Sequence, residues 1–326
     1  MKILVTGSAG FIGYHLSKAL LARGDEVIGL DNINAYYDPT LKEARNALLQ
    51  KEKNFRFIKG DIRDRATLDG AIAGVDRVCH LAALAGVRYS LEHPEEYIEN
   101  NIMGFFSVLE AVKSAEVPGL IYASSSSVYG GNEKLPSSEE DRVDNPISLY
   151  GMNKRDNELL ASTYHHLYSI PVTGLRYFTV YGPFGRPDMA LFLFTDAILR
   201  NHPLQIYGHG KQQRDFTYID DIVAGTVAAI NKNHPNEIFN LGSGKQEELM
   251  DFIAMIEKAC LPAVAQGAKV GGREGKKEFL DMQPGDVRTS LADITKAKEK
   301  LGYAPKTTIA DGIPKFVEWF RTYYGI

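Results

Sequence analysis

The feature that most constrains this chain is a glycine-rich turn that joins an apolar segment to a helix near the N-terminus. Residues 2–6 form an apolar run with little alternation, which is typical of a buried parallel strand. Gly7, Gly10 and Gly13 follow, and residues 15–21 continue with a helical pattern. Glycines at such a turn let the backbone approach a pyrophosphate, which the free N–H groups of a helix N-terminus can bind. The pattern predicts the first unit of a dinucleotide-binding fold.

An acidic residue follows the next predicted strand. Residues 26–30 form that strand, which ends at Asp31. A carboxylate about 20 residues after the glycines can accept hydrogen bonds from both ribose hydroxyls of NAD, and it would repel the additional phosphate of NADP. The alternative is a structural glycine turn beside an ordinary surface aspartate. The ordered series of strand, glycines, helix, strand and acid argues against that alternative, so we expect NAD as the cofactor.

Strands and helices alternate through the first half of the chain, which predicts an α/β fold with a Rossmann-type, doubly wound parallel sheet. Further strands are predicted at residues 56–58, 75–81, 119–123 and 172–177, and helices at 66–72, 101–115 and 148–167. We expect an NAD-binding domain over residues 1–180, to which the chain returns around 216–242. Residues 181–326 are expected to form mainly a smaller C-terminal lobe that binds the substrate.

Composition and charge exclude several functional classes. The 326-residue chain has a net charge of -4 and no dense basic run, so nothing predicts nucleic-acid binding. Cys79 and Cys260 both lie in apolar stretches and are interpreted as buried thiols, with no disulfide and no metal site. The sequence shows no signal peptide and no uninterrupted run of about 18 apolar residues. A cytoplasmic protein without membrane contact is the expectation.

Tyr150 and Lys154 are the candidate catalytic pair. Residues four apart lie on one face of a helix, so the phenol and the ammonium can point at the same place. A nearby cation favours the phenolate, and we expect the pKa of Tyr150 to lie well below about 10. A serine run at residues 124–127 precedes the pair and can hold a substrate hydroxyl beside the phenol. These groups suit proton transfer at a carbinol while a hydride moves to NAD.

The glycine spacing, together with Tyr150 and Lys154, resembles the extended short-chain dehydrogenase/reductase superfamily over essentially the whole chain. Residues 60–64, 80–83, 214–221 and 240–242 match later segments of that superfamily. The resemblance implies NAD contacts from Gly7, Gly10, Phe11, Ile12, Gly13, Asp31, Asn32, Asp61, Ile62, Leu81, Ala82, Ala83, Asn100, Tyr150, Lys154 and Tyr177. It also implies a homodimer through helices at residues 95–115 and 148–167. The alternative is that these helices only cover the sheet.

The serine run distinguishes between reactions within the superfamily. Sugar-nucleotide dehydratases and decarboxylases typically carry an acid at or next to the position of Ser127, whereas this chain has hydroxyls only. Oxidation at C4 followed by reduction, which is epimerisation, is therefore favoured. Aligned with nucleotide-sugar epimerases, Ser125 takes the position of the catalytic hydroxyl, while Ser126 and Ser127 either face the sugar or cap the turn. Glu92 and Asp188 are the carboxylates that could reach the site from elsewhere.

Four further segments, residues 31–42, 85–90, 179–190 and 283–287, resemble the UDP-glucuronate 4-epimerase family. The resemblance implies that Arg214 binds the diphosphate, Asp286 the uridine ribose and Tyr207 the uracil ring. The full set of implied substrate contacts is Arg88, Ser125, Ser126, Ser127, Thr179, Arg186, Tyr207, Arg214, Asp286 and Arg288.

The four arginines of that set are expected in loop segments and are suited to forked contacts with phosphate or carboxylate. For any one of them, a solvated surface charge is the alternative. Other functions also stay open: a UDP-glucose or UDP-N-acetylglucosamine 4-epimerase, a UDP-glucuronate decarboxylase, or a catalytically silent NAD-binding protein.

Overall fold

The computed structural model of the chain describes residues 1–260 and 276–326. Its strands are, in chain order, β1 (Lys2–Thr6), β2 (Glu26–Asp31), β3 (Phe55–Lys59), β4 (Arg77–His80), β5 (Leu120–Ser125), β6 (Val172–Tyr177), β7 (Thr179–Tyr181), β8 (Leu204–Tyr207), β9 (Gln213–Arg214), β10 (Phe216–Tyr218), β11 (Asn236–Leu241), β12 (Glu247–Glu248) and β13 (Lys277–Leu280). Its α-helices are α1 (Phe11–Ala22), α2 (Thr40–Leu49), α3 (Arg65–Ile72), α4 (Val87–Glu92), α5 (Pro94–Tyr97), α6 (Gly104–Ser114), α7 (Leu149–Tyr168), α8 (Ala190–Leu199), α9 (Ile219–Lys232), α10 (Leu249–Cys260), α11 (Thr295–Leu301) and α12 (Ile309–Tyr324).

The main sheet is parallel throughout and has the order β11-β6-β5-β4-β1-β2-β3 among the described residues. The chain winds outward from β1 to β3 and then restarts on the other side of β1 with β4. Thr6 at the end of β1 is in register with Leu30 of β2 and His80 of β4, so these strands end together. This order reversal creates a crevice at the carboxyl ends of the strands. The predicted doubly wound α/β fold is confirmed.

Apolar side chains on the two faces of the sheet belong to two separate cores. Ile3 and Val5 of β1 pack with Leu16 of α1, whereas Leu4 packs with Phe105 of α6. All five side chains are buried. Because successive residues of a strand point to opposite faces, an unbroken apolar strand requires helices on both sides.

Two helical segments differ from the sequence-based expectation. The predicted helix at 101–115 is interrupted, because a π-helical stretch (Ile98–Met103) precedes α6. Within that stretch the Asn101 side chain exchanges two hydrogen bonds of 2.9 Å with the backbone of Leu84, which ties it to the segment after β4. Helix α2 was not predicted, because residues 31–42 were interpreted only as a signature loop.

After β6 the chain forms small sheets outside the main one. Strand β7 pairs with β10, β8 with β13 and β9 with β12. Between them the chain returns to the main sheet, where β11 pairs with β6 and α9 packs on α1. No helix within residues 1–260 and 276–326 is long and apolar enough to cross a membrane.

Candidate active site

A cleft of about 990 Å³ opens where β1, β2, β4, β5 and β6 end. This is the place where open α/β sheets bind ligands. Its walls contain the residues that the sequence analysis assigned to cofactor and substrate, except Asp61 and Arg288. Asp61 lies beside the cleft, held by Arg63 at 2.9 Å and by Asn32 at 3.0 Å, and the Arg63 hydrogen bonds lower the pKa of Asp61 to about 2. Arg288 is exposed on the surface.

The glycine turn is packed too tightly for side chains. Gly7 has φ of +71°, and a Cβ placed there would lie 2.7 Å from the amide nitrogen of Ala82. A Cβ on Gly13 would lie 2.1 Å from the carbonyl oxygen of Gly7. The turn therefore brings bare backbone to the cleft wall at the start of α1, as a pyrophosphate cradle requires.

Asp31 ends β2 on the cleft wall. Its carboxylate accepts hydrogen bonds from the amides of Ile33 (2.8 Å) and Ala9 (3.1 Å). Burial raises the pKa of Asp31, while these hydrogen bonds and the charges of Lys42 and Arg45 act in the opposite direction. An acid bonded to the glycine turn and open to the cleft suits the adenosine ribose of NAD.

Arg45 was missed by the sequence analysis. Its fully buried guanidinium donates to the carbonyl of Ala9 in the glycine turn (3.0 Å), to the Tyr37 hydroxyl (2.7 Å) and to the carbonyl of Phe184 (2.6 Å). It thus connects α2, the cofactor turn and the loop that carries Arg186. Its position three residues after Lys42, on one face of α2, is the signal that could have revealed it.

Tyr150 and Lys154 both face the cleft from the first turns of α7. Ser148 is the N-cap of this helix, and its side chain accepts a hydrogen bond from the amide of Gly151 at 3.1 Å. Lys154 is buried, donates to the carbonyl of Ala123 at 2.9 Å, and places its Nζ 6.0 Å from the Tyr150 ring centre. Burial lowers the pKa of Lys154 to about 8.

The expectation of a low pKa for Tyr150 is wrong when the groups of the protein itself are considered. Burial raises the pKa of this phenol above its ordinary value, although the charge of Arg186 and the hydroxyl of Ser125 act to lower it. Desolvation of a phenolate in a narrow cleft outweighs these two contributions. The sequence pattern identified the neighbours of Tyr150 but not the extent of its burial.

Two serines of the run, Ser124 and Ser125, make hydrogen bonds within the protein. Ser124 donates to Glu158 at 2.6 Å, and Glu158 forms a buried forked ion pair with Arg176 at 2.8 and 2.9 Å. The hydroxyl of Ser125 accepts from the amide of Ser127 at 3.1 Å, so Ser125 itself caps the 3₁₀ turn Ser126–Tyr129. The four serines line the cleft.

The expectation that all four arginines lie in loop segments is wrong for Arg88 and Arg214. Arg88 lies in α4, with its guanidinium 4.7 Å from the ring centre of Tyr207. Arg214 lies in β9 and pairs with Asp286 at 2.8 Å. Both arginines line the cleft, but each already has a protein partner.

Arg186 is also engaged. Its Nε and Nη2 atoms pair with the two carboxylate oxygens of Asp188 at 3.0 and 2.5 Å, and Nη2 also donates to the Ala85 carbonyl at 2.6 Å. The Tyr36 hydroxyl joins the group, 2.5 Å from the Ala85 oxygen and 3.1 Å from Asp188. A Cβ on Gly86 would meet this hydroxyl at 2.5 Å, so the cluster depends on a glycine at that position.

Two carboxylates that could act as acid–base groups line the cleft, namely those of Glu92 and Asp188. Burial acts to raise the pKa of Asp188, but the charge and hydrogen bonds of Arg186 outweigh it and hold the pKa below its ordinary value. Within the described ranges, no group of three or more His, Cys, Asp or Glu side chains could hold a metal ion.

Comparisons with known proteins agree with this geometry. The family model described as GDP-mannose 4,6 dehydratase matches residues 4–316. UDP-glucuronate 4-epimerase 4 of Arabidopsis thaliana is 46% identical over 99% of this chain and 76% of its own length. A probable UDP-glucuronate 4-epimerase of Rhizobium meliloti is 42% identical over 99% of this chain and 98% of its own.

A solved structure supports the same family assignment. The UDP-glucuronic acid 4-epimerase of Bacillus cereus, in complex with UDP-glucuronic acid and NAD, superimposes with a TM-score of 0.91 at 40% identity. The match covers 99% of this chain and 100% of the other. The chain therefore belongs to the NAD-dependent epimerase/dehydratase family.

Proposed function

We propose that this protein is an NAD-dependent epimerase that inverts C4 of UDP-glucuronate, giving UDP-galacturonate through a transient 4-keto sugar. The main support for this proposal is one observation. A single cleft joins the glycine turn, the Tyr150–Lys154 pair and a wall of serine hydroxyls, in a chain that matches the Bacillus cereus epimerase over 99% of its length.

The residues present fit NAD. Gly7, Gly10 and Gly13 leave the backbone of the turn accessible to a pyrophosphate, and Asp31 lies where the adenosine ribose would be held. Lys154 and Tyr177 line the other end of the cleft, which suits the nicotinamide half. The chemistry that bound NAD supplies is reversible acceptance of the C4 hydride.

Tyr150 acts as the base that removes the proton of the C4 hydroxyl and later returns it. Ser125 donates a hydrogen bond to the same substrate oxygen, and its hydroxyl already lowers the pKa of the phenol against the effect of burial. Lys154, fixed by the carbonyl of Ala123, supplies a positive charge next to the phenol. The sugar turns over between oxidation and reduction, and since C4 regains a hydride and its oxygen a proton, the net redox change is zero.

The substrate lies along the other wall of the cleft. Tyr207 stacks on the uracil ring, Asp286 binds the uridine ribose and Arg214 the diphosphate. Arg186 lies at the uronate end with Ser126, Ser127 and Thr179, whose hydroxyls hold the carboxylate out of alignment with the C4 carbonyl. That arrangement suppresses loss of CO2 from the β-keto acid.

We further propose the two-part division given above, with residues 1–180 and about 216–242 for NAD and mainly 181–326 for the UDP-sugar. The protein acts in the cytoplasm as a homodimer through the segments at 95–115 and 148–167. Support comes from apolar side chains left exposed on these segments: Met103 is 52% exposed, Phe106 39% and Leu159 50%. Phe106→Glu should produce monomers in size-exclusion chromatography with light scattering.

The function is tested by offering the purified protein UDP-glucuronate, UDP-glucose and UDP-N-acetylglucosamine separately, and following the products by NMR. We expect UDP-galacturonate from UDP-glucuronate, and no conversion by Tyr150→Phe, which should retain NAD. Conversion of the neutral sugars alone would identify a neutral-sugar epimerase. Release of CO2 as the main reaction would identify a decarboxylase. An NAD-bound protein that converts none of the three would be catalytically silent.

A further inference from the structure

The Arg186 guanidinium is the cation at the proposed uronate end of the cleft, and most of its donors are already used. A guanidinium has five N–H groups, and it binds carboxylates most strongly through two parallel hydrogen bonds from one edge. The Nε–Nη2 edge of Arg186 is occupied by Asp188, at 3.0 and 2.5 Å. The second hydrogen of Nη2 points to the Ala85 carbonyl, 2.6 Å away.

Only Nη1 remains for a ligand. Among the residues that the structure describes, Nη1 has no hydrogen-bond acceptor. Because Nη2 is engaged on both sides, the second edge of the guanidinium cannot form a fork either. A substrate carboxylate can therefore accept from one nitrogen only. It also meets a cation whose charge is offset by Asp188.

The structure fixes this arrangement from several sides. The Tyr36 hydroxyl contacts both Asp188 (3.1 Å) and the Ala85 oxygen (2.5 Å). Gly86 leaves the space that the Tyr36 hydroxyl occupies. Arg186 and Asp188 remain 21% and 37% exposed, so the pair borders the cleft and is not sealed in the core.

A weak hold on the carboxylate has a consequence for epimerisation. The sugar must leave one orientation and take another before the hydride returns, and its carboxylate moves with the ring. A forked guanidinium–carboxylate contact would stabilise one orientation and slow this turn. We propose that Asp188 is a positioning residue that occupies the fork of Arg186, so that the uronate is bound loosely enough for the sugar to turn over. This inference rests on the proposed function and deepens it.

The test separates binding from turnover. In the Tyr150→Phe background, Asp188→Asn should lower the Kd for UDP-glucuronate by on the order of tenfold, since a charge-assisted hydrogen bond is gained. The Kd for UDP-glucose should not change. In the active enzyme, Asp188→Asn should lower KM and kcat together for UDP-glucuronate. Damage to the site would instead raise KM or leave it unchanged.

Two further variants serve as control and support. Glu92→Gln removes a negative charge from the same cleft without touching Arg186, and it should leave both Kd values unchanged. Tyr36→Phe removes one partner of Asp188 and should shift Kd and kcat in the direction of Asp188→Asn, but less. It tests the proposal even if Asp188→Asn does not fold.

The proposal is overturned if UDP-glucuronate binds Asp188→Asn no more tightly, if UDP-glucose tightens equally, or if kcat does not fall. The proposed function fails separately, if the unmodified enzyme does not convert UDP-glucuronate at all. The binding arm, measured in the Tyr150→Phe background, does not depend on that conversion.

Discussion

Gly13→Ala tests whether the glycine turn is the cofactor cradle. The added Cβ would lie 2.1 Å from the carbonyl oxygen of Gly7, 2.8 Å from its carbonyl carbon and 3.0 Å from the Cα of Ser8. Non-bonded heavy atoms prefer about 3.5–4.0 Å, so the turn or the first turn of α1 must move by about 1 Å. Every atom in the way is backbone, and no side chain can rotate to make room.

The size of the effect follows from this displacement. Overpacking of this kind costs about 1–3 kcal/mol. If the strained backbone is the cradle, NAD affinity should fall by about 10- to 100-fold, since each 1.4 kcal/mol is a factor of about ten. Bound NAD would be measured in the purified protein and its Kd by calorimetry, with urea unfolding for stability. Gly10→Ala, with a contact of 3.0 Å, should lose less.

Gly70→Ala is the matched control. Gly70 also lies in a helix, α3, but a Cβ there meets nothing within 4 Å. The substitution should stabilise the protein by about 0.5–1 kcal/mol and leave NAD binding unchanged. If a folded Gly13→Ala protein bound NAD as tightly as the Gly70→Ala protein, the pyrophosphate would not lie at this turn.

Three other outcomes are expected. Burial lowers the pKa of Lys154 to about 8, so between about pH 8 and pH 10 the unfolded chain binds more protons and stability rises with pH. Lys154→Met removes this penalty, so it should raise the free energy of unfolding by about 3 kcal/mol at pH 7 and by less at pH 10; equal changes at both pH values in urea unfolding would contradict this. Arg176→Met removes the forked partner of the buried Glu158 and leaves it only Ser124 (2.6 Å) and the partly exposed Arg155 (3.2 Å), so it should cost up to about 3 kcal/mol in the same assay, with much of the loss recovered in Arg176→Met/Glu158→Leu. Thr179→Ala should yield a UDP-pentose and CO2 beside UDP-galacturonate, detected by NMR, and an unchanged product pattern would remove Thr179 from control of the carboxylate.

The architecture of the sheet could be predicted from the sequence because it depends on local patterns. An apolar run such as residues 2–6 has few alternatives to a buried strand, and Gly7 to Gly13 leaves few alternatives to a tight turn before a helix. The C-terminal ends of the parallel strands then bring Asp31, the serine run and Tyr150 to one edge of the sheet. The grouping of the cofactor and catalytic residues follows from topology.

The electrostatic partners could not be predicted, because they depend on contacts between distant segments. Nothing local in residues 85–90 indicates that the Ala85 carbonyl accepts from Arg186, 101 positions later. The pKa of Tyr150 depends on how deeply α7 and the loops around it bury the phenol, which no spacing encodes. Arg45 and Asp188 were overlooked as positioning groups for the same reason: each acts on the backbone or the charge of another segment.

The placement of the carboxylates bears on which reaction the cleft supports. Absence of an acid beside Ser127 was the reason to favour epimerisation, yet Asp188 and Glu92 do line the cleft. Both oxygens of Asp188 are engaged by Arg186, and its pKa is held below the ordinary value. A carboxylate in that state is a poor base and is rarely protonated near neutral pH, so it is ill suited to the proton transfers of a dehydration. Glu92 is exposed at the surface of the chain, away from Arg186. The pairing of Asp188 with Arg186 therefore supports the proposal that the serine run first suggested, in which Tyr150 is the group that removes the proton of the C4 hydroxyl and returns it.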